Sequence, residues 1–120
     1  MKNQFRVIVA GGRDFNNYNL LSEKLTALLA NRSEKIVIIS GMAKGADSLG
    51  AMYAQNHNIL VSYFPALWQV HGNQAGFIRN EEMAKNADAC VCFWDGESVG
   101  TKHMIDTAKS MKIALRVILY

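Results

Sequence analysis

The sequence is poor in residues that interrupt or cross-link a chain. Its 120 residues include one proline and two cysteines, and half of them are hydrophobic. This composition predicts one folded domain over residues 1–120. Cys90 and Cys92 lie two apart in an apolar run, where a disulfide between them would be strained, and a single CxC pair is a poor zinc signal. We therefore expect buried free thiols, with no bound metal and no cofactor.

Long apolar runs and dense charge are also missing. No stretch approaches the ~20 apolar residues of a membrane-spanning helix, and the N-terminus lacks the apolar segment of a signal peptide. These absences predict a cytoplasmic protein without a membrane partner. The net charge is +3, and the basic residues are scattered rather than strung together. A small anionic ligand suits this charge, whereas the missing basic stripe disfavours nucleic acid as a partner.

Two widespread phosphate-binding motifs are absent. The loop Gly11-Gly12-Arg13-Asp14 lacks the third glycine of the GxGxxG dinucleotide fingerprint, and no GxxxxGK[ST] sequence occurs. The loop has two interpretations. It is either a tight turn with a solvated Arg13, or a nest of backbone N–H groups with a guanidinium for phosphate or carboxylate.

The sequence does contain a regular alternation of β-branched runs and amphipathic segments. Strands are predicted at residues 5–10, 35–39, 59–64, 89–94 and 114–119, helices at about 17–30, 46–56, 74–86 and 100–111, and a longer connection at 65–73. This alternation predicts an α/β fold, a single Rossmann-like, doubly wound parallel sheet of five strands in the order 3-2-1-4-5 with helices on both faces. Ligands bind such sheets beyond the carboxyl ends of the strands, here where strands 1 and 4 meet.

All four strand-to-helix loops carry glycine and polar residues, whereas the helix-to-strand returns are short and ordinary. The residues predicted to bind a ligand are Gly11, Gly12, Arg13, Asp14, Ser40, Gly41, Lys44, Gly45, Asp47, Arg79, Asn80, Asp95, Gly96, Gly100 and Thr101. Asp47 is either a first-turn acid favoured by the helix dipole or a ligand for ribose hydroxyls. Arg79 either binds the ligand or is solvated or paired with Glu81 or Glu82.

Three carboxylates, Asp95, Glu97 and Asp106, lie in or after the last of these loops. Paired carboxylates can hydrolyse glycosidic bonds, but the sequence does not give their separation. His71 and His103 lack a metal-ligand spacing, which favours solvated or hydrogen-bonded histidines.

Several segments, taken together and in order, resemble the YspA-like branch of the SLOG superfamily. They are residues 9–15 (VAGGRDF), 40–41 with 44–49 (SG and KGADSL), 64–68 (FPALW), 75–80 with Met83 (AGFIRN) and 93–96 with 100–101 (FWDG and GT). The superfamily includes the LOG phosphoribohydrolases, the DprA proteins and sensor domains for nucleotide-derived signals. The resemblance implies a Rossmann-like fold and a site for a nucleotide, a nucleotide-sugar or an ADP-ribose-like ligand. Because LOG relatives associate through helices, it also implies a homodimer or larger homo-oligomer.

Two departures from the family pattern bear on function. Met42 stands where the branch usually has glycine, and Met104 stands where LOG enzymes carry the glutamate of Gly-Gly-x-Gly-Thr-x-x-Glu. A methionine cannot transfer a proton. We therefore expect a binding protein that senses, carries or sequesters its ligand. The alternative is an N-glycosidic hydrolase in which Asp95, Glu97 or Asp106 replaces the missing acid, and the third reading is DNA binding of the DprA type.

Overall fold

Five parallel strands form one sheet in the order β3-β2-β1-β4-β5, which confirms the predicted topology. The computed structural model describes residues 3–120. The strands are β1 (Gln4–Gly11), β2 (Lys35–Ser40), β3 (Leu60–Tyr63), β4 (Ala89–Trp94) and β5 (Ala114–Leu119). The helices are α1 (Tyr18–Leu29), α2 (Ala46–Asn56), α3 (Trp68–His71), α4 (Ala75–Lys85) and α5 (Val99–Ser110).

The sequence of β4 shows why it occupies the interior of the sheet. Its residues 89–93 are all buried, since helices cover both of its faces and neither face needs a polar side chain. The edge strands differ, with Leu60 in β3 and Leu119 in β5 more than half exposed.

Alternate side chains of the central strands enter two separate cores. On one face α1 and α2 cover the sheet, and on the other α4 and α5 do so. The first core includes Val7, Val9, Leu21, Leu25, Tyr53, Val91 and Phe93. The second includes Ile8, Ala10, Met83, Cys90, Cys92, Met104 and Ile105. Helices on both faces leave the carboxyl edge of the sheet open at the β1–β4 junction, where the chain reverses its winding direction.

The segment predicted as a long connection contains structure. Residues 68–71 form the short helix α3, and a 3₁₀ turn at Gly72–Gln74 leads into α4. The prediction missed both because four residues are too few to show a helical period. The consequence is that Trp68 is held at a defined place beside the sheet edge.

The two cysteines are free and buried, as predicted. Their Sγ atoms lie 3.5 Å apart on the α4–α5 face. The hydrogen bond with Cys92 and burial raise the pKa of the Cys90 thiol. None of the helices in the described part of the chain has the length and apolar character needed to cross a membrane.

Candidate ligand-binding site

A cleft of about 440 Å³ opens at the carboxyl edge of the sheet, where the loops after β1, β2 and β4 meet the side of α4. It is lined by Ala10, Gly11, Gly12, Arg13, Asp14, Ala43, Asp47, Trp68, Asn73, Gly76, Phe77, Arg79, Asn80, Met83, Asp95, Ser98, Gly100, Thr101 and Met104. A second hollow adjoins it over the loop after β2 and shares Arg13, Ala43, Trp68 and Arg79 with it.

The loop after β1 is locked into the fold. The Gly12 N–H donates to the Phe93 carbonyl at 3.0 Å, and the Gly12 carbonyl accepts the N–H groups of Phe15 and Ala46, each at 3.2 Å. The Gly12 N–H is therefore already paired with β4 and is not available to a ligand. The N–H groups of Arg13 and Asp14 have no partner among residues 3–120, so they are the donors that this turn offers to a ligand.

Tyr120 supports the same turn from the side of β5. Its hydroxyl donates to Asp14 Oδ1 at 2.6 Å, and its ring packs edge-on against Phe15 with centroids 4.8 Å apart. A Cβ on Gly12 would lie 1.7 Å from that hydroxyl. Asp14 therefore orders the turn through Tyr120.

Gly45 joins the loop after β2 to the loop after β1. Its φ is +78°, and a Cβ there would lie 2.2 Å from the Gly12 carbonyl oxygen and 2.7 Å from the carbonyl carbon of Arg13. Both observations exclude a side chain at this position. Gly45 thus serves the packing of two loops, rather than the approach of a ligand.

We expect Gly45→Ala to lower the free energy of unfolding by about 2–4 kcal/mol, because it adds left-handed backbone strain to a steric clash. Gly100→Ala is the matched control, since nothing lies within 4 Å of its Cβ position and the residue is helical. That variant should be unchanged or up to about 1 kcal/mol more stable. Urea unfolding measures both, and equal effects would contradict the assigned role of Gly45.

Asp47 and Arg79 face each other across Gly41. A Cβ on Gly41 would lie 2.7 Å from both Asp47 Oδ2 and Arg79 Nη1. Arg79 Nη1 donates a short hydrogen bond to the Gly41 carbonyl, and the Ala43 N–H donates to Asp47 Oδ2 at 3.4 Å. The absence of a side chain at Gly41 therefore allows the carboxylate and the guanidinium to approach the same backbone segment.

Burial dominates the electrostatics of this pair. Asp47 is only 5% exposed, and burial raises its pKa to about 6, although the charges of Arg79 and Arg13 and hydrogen bonds from two backbone N–H groups oppose the rise. Burial also lowers the pKa of Arg79, and the Asp47 charge opposes that shift. Arginine nevertheless stays protonated, so the cleft contains a half-buried cation beside an acid that titrates near pH 6.

Asn80 connects Arg79 to α5. Its Oδ1 accepts from Arg79 Nε at 3.1 Å, while its Nδ2 donates to the Gly100 carbonyl at 3.4 Å and lies 3.2 Å from His103 Nδ1. The Asn80 side chain is buried among these partners. It therefore orients the guanidinium and has little free capacity for a ligand.

The start of α5 provides unpaired donors. Ser98 occupies the N-cap position but makes no capping hydrogen bond to the backbone. The N–H groups of Val99, Gly100 and Thr101 have no partner in the described part of the chain. Gly100 and Thr101 line the cleft. The positive end of a twelve-residue helix therefore opens into it.

The three candidate carboxylates of the last loop and α5 are in different environments. Asp95 lines the cleft, but its Oδ1 accepts the N–H groups of Glu97 and Ser98 at 2.9 and 2.8 Å, which lower its pKa. Glu97 is exposed and outside the cleft lining. Asp106 is also outside it and pairs with Lys102 at 2.9 Å. Only Asp95 is thus placed to meet a ligand in this cleft.

Ten of the fifteen predicted ligand residues line the main cleft, namely Gly11, Gly12, Arg13, Asp14, Asp47, Arg79, Asn80, Asp95, Gly100 and Thr101. Gly41 and Lys44 line the adjoining hollow. Ser40, Gly45 and Gly96 line neither of them. Ser40 is buried, and its hydroxyl donates to the Asp47 carbonyl at 3.3 Å. Met42 also lines the hollow, with a left-handed φ of 67° where the branch usually has glycine.

Trp68, Asn73 and Phe77 also line the cleft but were not among the predicted ligand residues. For Trp68 the sequence does carry a signal, an aromatic residue soon after the carboxyl end of a strand. The Phe77 ring stacks on His103 with centroids 4.3 Å apart. Trp68 is 53% exposed.

Comparison with known proteins agrees with the fold. The sequence matches the YspA, cpYpsA-related SLOG family over residues 5–71, more than half of the chain. It is 32% identical over 114 residues to the Gene 61 protein of Mycobacterium phage D29, covering 90% of this chain and 91% of that protein. The fold is similar to that of DNA processing protein A (DprA) from Streptococcus pneumoniae, with a TM-score of 0.74, 17% identity and coverage of 95% of this chain. The chain spans half the length of that DprA structure. It belongs to the YspA, cpYpsA-related SLOG family.

Proposed function

We propose that the protein binds a small nucleotide-derived ligand in the main cleft, and that it acts as a sensor, carrier or sequestering protein. The candidate ligands are a nucleotide, a nucleotide-sugar or an ADP-ribose-like molecule. The observation that carries the proposal is the uncapped N-terminus of α5, which opens into a cleft that also contains Arg13 and Arg79. Free backbone N–H groups, a helix dipole and guanidinium groups are the means by which proteins hold phosphate.

The surroundings of Arg13 strengthen the argument. Arg13 is exposed, and its guanidinium makes no ion pair or hydrogen bond with the described residues. Arg79 has protein partners for Nε and Nη1 but none for Nη2 among residues 3–120. Arg13 and the Nη2 of Arg79 are therefore available to a ligand, whereas the three aspartates of the cleft, Asp14, Asp47 and Asp95, each accept a hydrogen bond from a protein group.

The chemistry of the cleft favours binding over turnover. Met104, which stands at the position of the LOG glutamate, is 1% exposed and contributes to the cleft wall. Asp95 stays ionised because two backbone N–H groups lower its pKa, so it is a poor proton donor to a leaving base.

The second candidate function is hydrolysis of the ligand, and the raised pKa of Asp47 in the cleft favours it. Its pKa of about 6 would let it act as a general acid near neutral pH. DNA binding is not part of this proposal, since likeness to DprA at 17% identity shows the fold alone.

Calorimetric titration with AMP, GMP, NAD and ADP-ribose tests the proposal, combined with chromatography of each compound after incubation with the protein. We expect saturable 1:1 binding of at least one compound and its recovery intact. Multiple-turnover release of base or ribose phosphate would contradict the binding function. Loss of that release in Asp47→Asn or Asp95→Asn, with binding retained, would then identify the acid of a hydrolase.

A further inference from the structure

We propose that Trp68 is the surface on which the ligand's base stacks, so that the cleft takes a ligand with a heteroaromatic ring at one end and an anionic group at the other. This inference rests on the proposed function and specifies the class of ligand. It assigns a role to a residue at the start of α3.

The first observation is the state of the Trp68 side chain. It is 53% exposed. Its indole N–H has no hydrogen-bond partner, and no aromatic ring stacks on it, anywhere in residues 3–120. The other tryptophan, Trp94, is half-buried and donates its indole N–H to the Ser98 carbonyl at 3.1 Å. Trp68 therefore has both a ring surface and a donor available to a bound molecule.

The second observation is the position of the ring. A Cβ on Gly76 would lie 3.7 Å from Trp68 Cη2 and 3.9 Å from Arg79 Nη2. The tip of the indole and the free end of the guanidinium therefore border the same side-chain-free patch of α4. Trp68 also lines both the main cleft and the adjoining hollow. A ring stacked on the indole would lie at this shared wall, close to a cation.

The third observation is the spacing of the strands that precede Trp68 and α5. Trp68 follows β3, and the uncapped N-terminus of α5 follows β4. In the observed sheet order these strands are three positions apart, or about 14 Å at about 4.8 Å per strand. A lone phosphate is much smaller than this spacing. A nucleoside phosphate can place its base at Trp68 and its phosphate near Arg13 and α5.

The other aromatic residue of the cleft is less suited to this role. Phe77 lines the cleft, but its ring is already stacked on His103 at an interplanar angle of 26°. One face of the Phe77 ring is therefore already covered, and Phe77 is less exposed than Trp68. No ring covers Trp68 among the described residues, and stacking on an aromatic face is tolerant of base identity.

The test compares ligands with and without a base. Calorimetry measures the binding of AMP, GMP, CMP, UMP and ribose 5-phosphate to the wild type, Trp68→Ala, Trp68→Phe and Arg79→Ala. We expect Trp68→Ala to weaken binding of the nucleoside monophosphates about 5- to 100-fold and to leave ribose 5-phosphate binding within about twofold. Trp68→Phe should retain most of the affinity, because it keeps a ring. Arg79→Ala should weaken binding of both kinds of ligand.

Each failure has a distinct signature. If nucleotides and ribose 5-phosphate bind the wild type equally and Trp68→Ala changes neither, the stacking role is overturned while the anion site stands. If Trp68→Ala weakens both kinds of ligand to the same degree, Trp68 shapes the cleft and does not hold the base, and the proposal is again overturned. If the wild type binds none of these compounds and neither NAD nor ADP-ribose, the proposed function fails and the stacking role fails with it.

Discussion

Arg79→Ala should weaken the binding of a nucleoside monophosphate by about 1.5–3 kcal/mol, or about 10- to 150-fold, the usual value of a charge-assisted contact. The guanidinium is held over the cleft by the Gly41 carbonyl and by Asn80. Its geometry is therefore fixed before a ligand arrives, which limits the entropy lost on binding. The affinity of Arg79→Lys should lie between those of the wild type and Arg79→Ala, because lysine keeps the positive charge but lacks the planar fork of donors. Calorimetry measures all three affinities.

Lys85→Ala is the control for net charge. Lys85 belongs to the same helix and pairs with Glu82 at 3.5 Å on an exposed surface, outside the cleft lining. Its removal lowers the charge of the protein by the same amount and should change affinity by less than about twofold. Equal losses in the two variants would mean that Arg79 acts only through overall charge. Thermal unfolding of Arg79→Ala establishes that the variant is folded.

Asp47→Asn should raise the free energy of unfolding at pH 8 by about 1–3 kcal/mol. The pKa of Asp47 is about 6 in the folded protein and 3.8 as the ordinary value. The folded state therefore binds the proton more tightly than the unfolded chain, and ionisation lowers wild-type stability as pH rises from about 4 through 6. Two units of pKa correspond to about 3 kcal/mol. This shift already includes the opposing charges of Arg79 and Arg13.

The pH profile of unfolding distinguishes this mechanism from a general effect of the substitution. The difference between Asp47→Asn and wild type should be largest above pH 7, decrease between about pH 6 and 4, and disappear below pH 4. Asp106→Asn is the matched control, because the hydrogen bond from Lys102 lowers the pKa of Asp106. That variant should be no more stable than wild type at pH 8. A difference for Asp47→Asn that is constant with pH would contradict a raised pKa.

Strand and helix order was predictable because the physics that sets it is local. The run from Ala89 to Trp94 is apolar throughout, and this property predicted a strand buried on both faces with the bounds that the structure shows. Alternation of strands with helices then left few topologies, since parallel crossovers are right-handed. The short α3 helix was missed, because four residues are too few to show a helical period.

The roles of individual glycines were less predictable. A glycine in a loop indicates that something approaches the backbone closely, but the sequence does not say what approaches. At Gly45 it is the backbone of the neighbouring loop, and at Gly41 it is the Asp47 and Arg79 side chains. Similarly, the Gly12 N–H donates to the Phe93 carbonyl of β4 and not to a ligand. These assignments need the tertiary structure, because each partner is distant in sequence.

The carboxylates show the same limit. Spacing in the sequence placed Asp95, Glu97 and Asp106 near one loop, but helical geometry turns Asp106 towards Lys102 and solvent. Asp47 was predicted as a ligand residue, while its raised pKa follows from burial beneath the loop after β2 and is invisible to sequence reasoning. The sequence therefore predicts which carboxylates lie near the cleft, but not their pKa values.

Nuclear magnetic resonance gives the most direct measurement of the central claim, that the cleft at the β1–β4 junction binds a nucleotide-derived anion. A ¹⁵N-labelled sample is titrated with AMP and with ADP-ribose while the backbone and indole N–H signals are followed. We predict saturable shifts at the N–H groups of Arg13, Asp14, Gly100 and Thr101 and at the indole of Trp68, all with one dissociation constant. Unchanged spectra at millimolar ligand, or shifts confined to the opposite edge of the sheet around Arg32 and Arg116, would contradict the claim.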